Sequence, residues 1–95
     1  MDVIFEVFDK TGRKIRLTKK QWGHISSEHP DINDPEMIRQ TVFKPLKITP
    51  SKYDPDHVRY FYSYLKDQRG YLFVSVKYLN GNGFIITSYF MRNIQ

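Results

Sequence analysis

The chain has no cysteine, which excludes disulfides and thiolate metal sites and fits a reducing cytoplasm, the expected location. It has no run near the roughly 18 consecutive apolar residues of a membrane span. Its opening stretch, MDVIFEVFDK, lacks a basic leader ahead of an apolar core, so it is expected to be a strand and not a secretory signal. Internal repeats, low-complexity tracts and linkers are missing. Glycine is sparse, and Asn80-Gly81-Asn82-Gly83 lies between two strand-like runs. A phosphate-cradling loop would instead precede a helix. No nucleophile-elbow motif supports a Ser–His–Asp hydrolase. Acidic residues are the minority, with 10 Asp and Glu against 15 Lys and Arg.

What is present is a basic, aromatic-rich domain. The 95 residues, 1–95, suit one domain, and the hydrophobic fraction of 40% with 16% aromatics supplies a core. The net charge of +5 serves solubility on one reading. On the other it favours an anionic partner, above all nucleic acid.

Local patterns divide the chain into eight elements. Val3, Phe5 and Val7 alternate as in a strand, Asp9-Lys10-Thr11-Gly12 is turn chemistry, and Lys14-Ile15-Arg16-Leu17 returns as a second strand. Thr18-Lys19-Lys20-Gln21 has the capping-box spacing, which predicts a helix from Lys19 to Glu28, stopped by Pro30. Asp34 caps and Pro35 starts a second helix, carried by Met37, Ile38, Thr41 and Val42 to Phe43 and ended by Lys44-Pro45. Leu46-Lys47-Ile48-Thr49 reads as a short strand. Three more follow, over His57 to Lys66, Tyr71 to Leu79 and Phe84 to Phe90. The last two are joined by Asn80-Gly81-Asn82-Gly83, a hairpin signal because both Asn and Gly tolerate positive φ. The order ββααββββ predicts an α+β fold: an N-terminal hairpin, then two helices packed on one face of a largely antiparallel sheet of about four strands.

Strand alternation divides the C-terminal meander into two faces. Val58, Tyr60, Tyr62, Tyr64, Leu72, Val74, Val76, Tyr78, Phe84, Ile86, Ser88 and Phe90 are expected to meet the helices. Arg59, Phe61, Ser63, Leu65, Tyr71, Phe73, Ser75, Lys77, Ile85, Thr87 and Tyr89 form the outer set. A polar outer face needs no function. Bare aromatic rings among cations also suit unstacked bases and their phosphates. A one-residue slip or a bulge would exchange the sets.

Two of the three histidines fall in Trp22-Gly23-His24-Ile25-Ser26-Ser27-Glu28-His29-Pro30. On a helical wheel His29 lies near Trp22 and Ile25, and His24 lies opposite with Glu28. Taken singly, His29 is a helix-end residue packing on Trp22, and His24 is an exposed polar residue. Taken together they offer a base and an acid near neutral pH. Their spacing of five does not match helical zinc ligands, which fall three or four apart. Glu28 or Asp31 would have to join them, so no metal is assigned. His57, beside Pro55 and Asp56, reads as a loop residue.

The element order and several stretches resemble the BECR superfamily of barnase-, EndoU-, colicin- and RelE-like nucleases, nearest its phage- and mobile-element-associated branches. The matching residues are His24-Ile25-Ser26-Ser27-Glu28-His29-Pro30, Ile38…Thr41…Lys44-Pro45…Ile48…Ser51, Tyr60-Phe61-Tyr62, Val74-Ser75-Val76-Lys77 and Ile85-Ile86-Thr87-Ser88-Tyr89. The resemblance implies a metal-independent endoribonuclease that leaves a cyclic phosphate, acts as a toxin or effector, and needs no cofactor. By position it implies His24 or His29, Lys77 and Thr87 as catalytic residues and Ser51, Arg59 and Tyr89 as substrate-binding ones. In that reading a histidine is base or acid. Lys77 and Arg59 neutralise charge on the phosphate, Thr87 or Ser51 holds a phosphate oxygen, and Tyr89 stacks on a base. The expected partners are RNA, an acidic neutralising protein and a second copy through an open strand edge, with no membrane. The alternative is a non-catalytic module binding RNA or protein through the same charge and aromatics.

Overall fold

A computed structural model describes residues 2–94. Strands β1 (Val3–Phe8) and β2 (Lys14–Thr18) lead, followed by helices α1 (Lys19–Glu28) and α2 (Pro35–Phe43). Then come β3 (Lys47–Pro50), β4 (Val58–Leu65), β5 (Gly70–Leu79) and β6 (Asn82–Met91). The α+β class and the order ββααββββ hold, with one added turn of 3-10 helix at Lys66–Gln68.

The sheet is larger than the sequence suggested. Six strands, not about four, form one mixed sheet in the order β1-β2-β6-β5-β4-β3. The N-terminal hairpin is part of it because β2 runs parallel to β6, with Lys14, Ile15 and Arg16 opposite Asn82, Gly83 and Phe84. Parallel neighbours need a long crossover, and both helices and the meander supply it. Every other neighbouring pair is antiparallel.

Both helices start as their caps dictate. The Thr18 hydroxyl accepts from the Gln21 N–H at 3.2 Å, and the Asp34 carboxylate accepts from the Glu36 N–H at 2.9 Å. Only half of the capping box forms, because the Gln21 side chain donates to the carbonyl of Ile86 instead of reaching back. That bond has a topological cause. β2 pairs with only the first three residues of β6, and α1 continues beside the strand where β2 has ended.

One core lies between the helices and one face of the sheet. It joins Val7, Ile15 and Leu17 to Ile25, Ile38 and Val42 and to Phe61, Leu72, Val74 and Val76. Each such side chain contributes about 1.5–3 kcal/mol on full burial. Ile32, between the helices, is fully buried, and its N–H bonds the carbonyl of His29 at 2.9 Å. This plug fixes the end of α1. Among the described residues no helix is long and apolar enough to cross a membrane.

The face assignment needs two corrections. β4 is turned over: Phe61 pairs with Val74, and Tyr60, Tyr62 and Tyr64 pair with Ser75, Phe73 and Tyr71. Phe61 therefore enters the core, Arg59, Ser63 and Leu65 share its side, and the three tyrosines line the open face. The cause lies in α2, where the buried Thr41 hydroxyl sits 2.6 Å from that of Ser63. This contact satisfies the Ser63 hydroxyl on the helix side. The second correction comes from a bulge in β6. Val76 pairs with Ile85 while Ser75 pairs with Thr87, so Ile86 has no partner. Ile85 then points to the core, and Phe84 stands on the open face opposite Lys77. The remaining β5 and β6 assignments hold.

Candidate functional site

The open face carries an aromatic cleft of about 380 Å³ between β3 and the second half of β6. Its floor is Phe73. The Tyr60 and Tyr62 rings lie 4.8 and 5.6 Å from it, and Tyr89 stacks on it at 4.6 Å. These contacts follow from register, since Tyr62, Phe73 and Tyr89 are neighbours across three strands.

One wall is Thr49, Pro50, Lys52 and Tyr53. Ser51 builds it. Its buried hydroxyl accepts from the N–H groups of Tyr53 (3.1 Å) and Asp54 (3.3 Å) and shares a hydrogen bond with the Tyr60 hydroxyl at 3.0 Å. Thr49 donates to the Tyr62 hydroxyl at 3.5 Å. Ser51 thus shapes the cleft with a hydroxyl already occupied by protein partners.

The opposite wall is Tyr89 and Met91, and the end of α1 packs against Tyr89. His29 leaves the helix with φ −132° as Pro30 requires, its N–H bonded to the Ile25 carbonyl at 2.8 Å. Its ring lies 5.6 Å from that of Tyr89, tilted by 39°. Tyr89 is held between Phe73 on the β5 side and His29 on the α1 side, so it offers the cleft its hydroxyl more than a free stacking face. Burial pushes the Tyr89 phenol above its ordinary pKa, and the Tyr60 and Tyr62 hydroxyls push the same way. It stays protonated at neutral pH.

The structure separates the other residues singled out in the sequence. Thr87 is on the open face two residues before Tyr89, opposite Ser75, and Lys77 follows on the same face. With about 3.4 Å per residue, each step of two is about 7 Å. His24 is exposed on α1, about 140° around the helix from His29, and stands outside this cluster. Arg59 is a correction: it pairs with Val76 on the helix side, so it cannot join Tyr89 on one phosphate. His57 is a loop residue whose Nδ1 is 3.0 Å from an Asp54 carboxylate oxygen.

Sequence reasoning missed Tyr60, Tyr62 and Lys52 as cleft residues. A signal was present for the first two: Tyr60, Tyr62 and Tyr64 alternate along one strand, and three phenols in a row need partners for their hydroxyls that an apolar core cannot give.

Among known proteins, no family model, no curated protein and no solved structure matches this chain. The cleft offers a phenol kept protonated, an ammonium group and an aromatic slot, with an imidazole packed against the phenol's ring.

Proposed function

We propose that this chain is an endoribonuclease that binds single-stranded RNA in the aromatic cleft and cleaves it by acid–base transesterification. The observation that carries the reading is the His29 imidazole packed against Tyr89, the cleft-lining residue whose phenol is kept protonated. The resemblance to BECR nucleases points the same way.

In this reading a base lies against the ring of Tyr60 above the Phe73 floor, which places its ribose towards Tyr89. His29 takes the proton of the 2′-hydroxyl as that oxygen attacks the adjacent phosphorus. The bond from phosphorus to the 5′-oxygen breaks, and the Tyr89 phenol protonates the leaving oxygen. The products are a 2′,3′-cyclic phosphate and a 5′-hydroxyl. The imidazolium then releases its proton to water and the phenolate regains one, so no net proton is consumed. Lys52 faces the charge that grows on the phosphate, and Thr87 and Lys77 extend the polar track along the open face.

The test is RNA cleavage in EDTA. His29→Ala and Tyr89→Phe are each expected to lose about 10²–10⁴-fold in rate, the usual share of one acid or base. His24→Ala is expected to cleave as the parent does. Equal cleavage by all four proteins overturns the assignment.

A second reading is favoured by Tyr64 and Tyr71, whose rings meet at 5.3 Å on the open face beyond the cleft. They extend the aromatic row as a binding platform would. Salt-sensitive RNA binding with no cleavage, unchanged in His29→Ala, identifies a pure binding module.

A further inference from the structure

On the helix side of the sheet, directly behind the cleft, lies a second groove of about 190 Å³ lined by Asp9, Lys10, Thr11, Arg13, Arg59 and Tyr78, among others. The two are back to back across two strands. In β3, Thr49 lines the cleft and Ile48 the groove. In β4, Tyr60 lines the cleft and Arg59 the groove. Adjacent strand residues point to opposite faces, so only the thickness of a sheet at its short β3 edge separates them.

The groove is built for an anion. Three cations face it against one carboxylate, and that carboxylate is occupied. Asp9 Oδ1 accepts from the Thr11 N–H, the Thr11 hydroxyl and the Arg13 N–H, and Oδ2 accepts from the Tyr78 hydroxyl at 2.8 Å. Arg13 is fixed in place, with its guanidinium 3.8 Å over the Tyr78 ring and its Nε 3.6 Å from Asp9. Arg59 is partly buried and has no ion pair among those found in the described residues. A planar guanidinium and a nearby ammonium suit a phosphate diester.

We infer that Lys10, Arg13 and Arg59 bind the backbone phosphates of the same RNA strand after it passes from the cleft over the β3 edge. This rests on the RNA reading of the cleft. It assigns Arg59 to substrate binding at a second site remote from the scissile phosphate, where it acts on affinity and not on the chemical step.

The experiment compares the parent, Arg59→Gln/Lys10→Gln and Arg59→Lys on fully 2′-O-methylated oligonucleotides, which cannot transesterify, of two lengths. A dinucleotide reaches only the cleft, and an oligonucleotide of about twelve residues reaches both sites. The double variant is expected to bind the long oligonucleotide roughly tenfold more weakly at low salt, with a salt slope shallower by about 1.4 for two lost cations. Its binding of the dinucleotide and its kcat on a cleavable dinucleotide are expected to match the parent, and Arg59→Lys to recover most of the long-strand affinity. Unchanged affinity and slope in the double variant overturn the inference and leave the nuclease reading standing. Arg59-dependent binding of the long strand by a parent that cleaves nothing supports the groove while the nuclease reading fails. No binding of either length by the parent ends both. Inorganic phosphate displacing neither oligonucleotide while poly-glutamate binds as tightly as RNA through Arg59 also overturns it, because the groove would then serve an acidic protein.

Discussion

At the turn between β1 and β2, one carboxylate serves four donors. Asp9 accepts from the backbone N–H groups of Thr11 and Arg13 and from the hydroxyls of Thr11 and Tyr78. Burial alone would raise its pKa, but the hydrogen bonds from Thr11, Arg13 and Tyr78 outweigh it and hold the carboxyl below its ordinary value. Burial and this same bond push the Tyr78 phenol far upward. A depressed carboxyl pKa means that the unfolded chain binds the proton more tightly. The resulting stability is present above the ordinary value of about 3.9 and is lost as pH falls through the lower folded value. Asp9→Ala strands the nearly buried Tyr78 hydroxyl, so it is expected to lose about 1–3 kcal/mol in denaturant unfolding at pH 7. The difference from the parent should narrow as the pH drops below about 4. A difference that stays constant from pH 7 to pH 3 counts against this account.

Among the elements, the β5–β6 hairpin and α1 do most to position the site, and they differ in how much of them could be read. The hairpin turn was legible because its chemistry is local: Asn80 and Gly81 take φ of +53° and +82°, as the residue types imply. Gly83, in the same run, has a different purpose that no local pattern reveals. A Cβ there would meet Ile15 Cγ1 at 2.7 Å and Val76 Cγ1 at 3.1 Å, so its missing side chain lets β2 close against β6. Gly83→Ala is expected to cost about 1–3 kcal/mol by overpacking, read as a lower unfolding midpoint with unchanged slope. An unchanged midpoint would mean that the parallel pairing does not depend on this contact. The bounds of α1 were legible from Thr18 and Pro30. Its place beside β6 was not, because that depends on where β2 stops, a non-local matter. β4 misled for the same reason: Tyr60, Tyr62 and Tyr64 outrank Arg59 and Ser63 in hydrophobicity, yet α2 comes close enough to β4 for Thr41 to meet Ser63.

At the scale of the whole molecule, six strands leave one face to the helices and the other open, and the end of α1 reaches round the β6 edge to that open face. This is why the rings of His29 and Tyr89, 60 residues apart in the chain, meet, while His24, five residues from His29, does not join them. The sequence pointed to both histidines, to Tyr89 and to Thr87, but the pairing of His29 with Tyr89 depends on tertiary structure alone. The same geometry divides the cations, with Lys52 at the cleft and Arg59 in the groove behind it. The most direct measurement is NMR observation of the three imidazoles during titration with a 2′-O-methylated dinucleotide. The account predicts saturable shifts of the His29 resonances while those of His24 and His57 stay in place. Saturable shifts at His24 or His57 with His29 unmoved would contradict it.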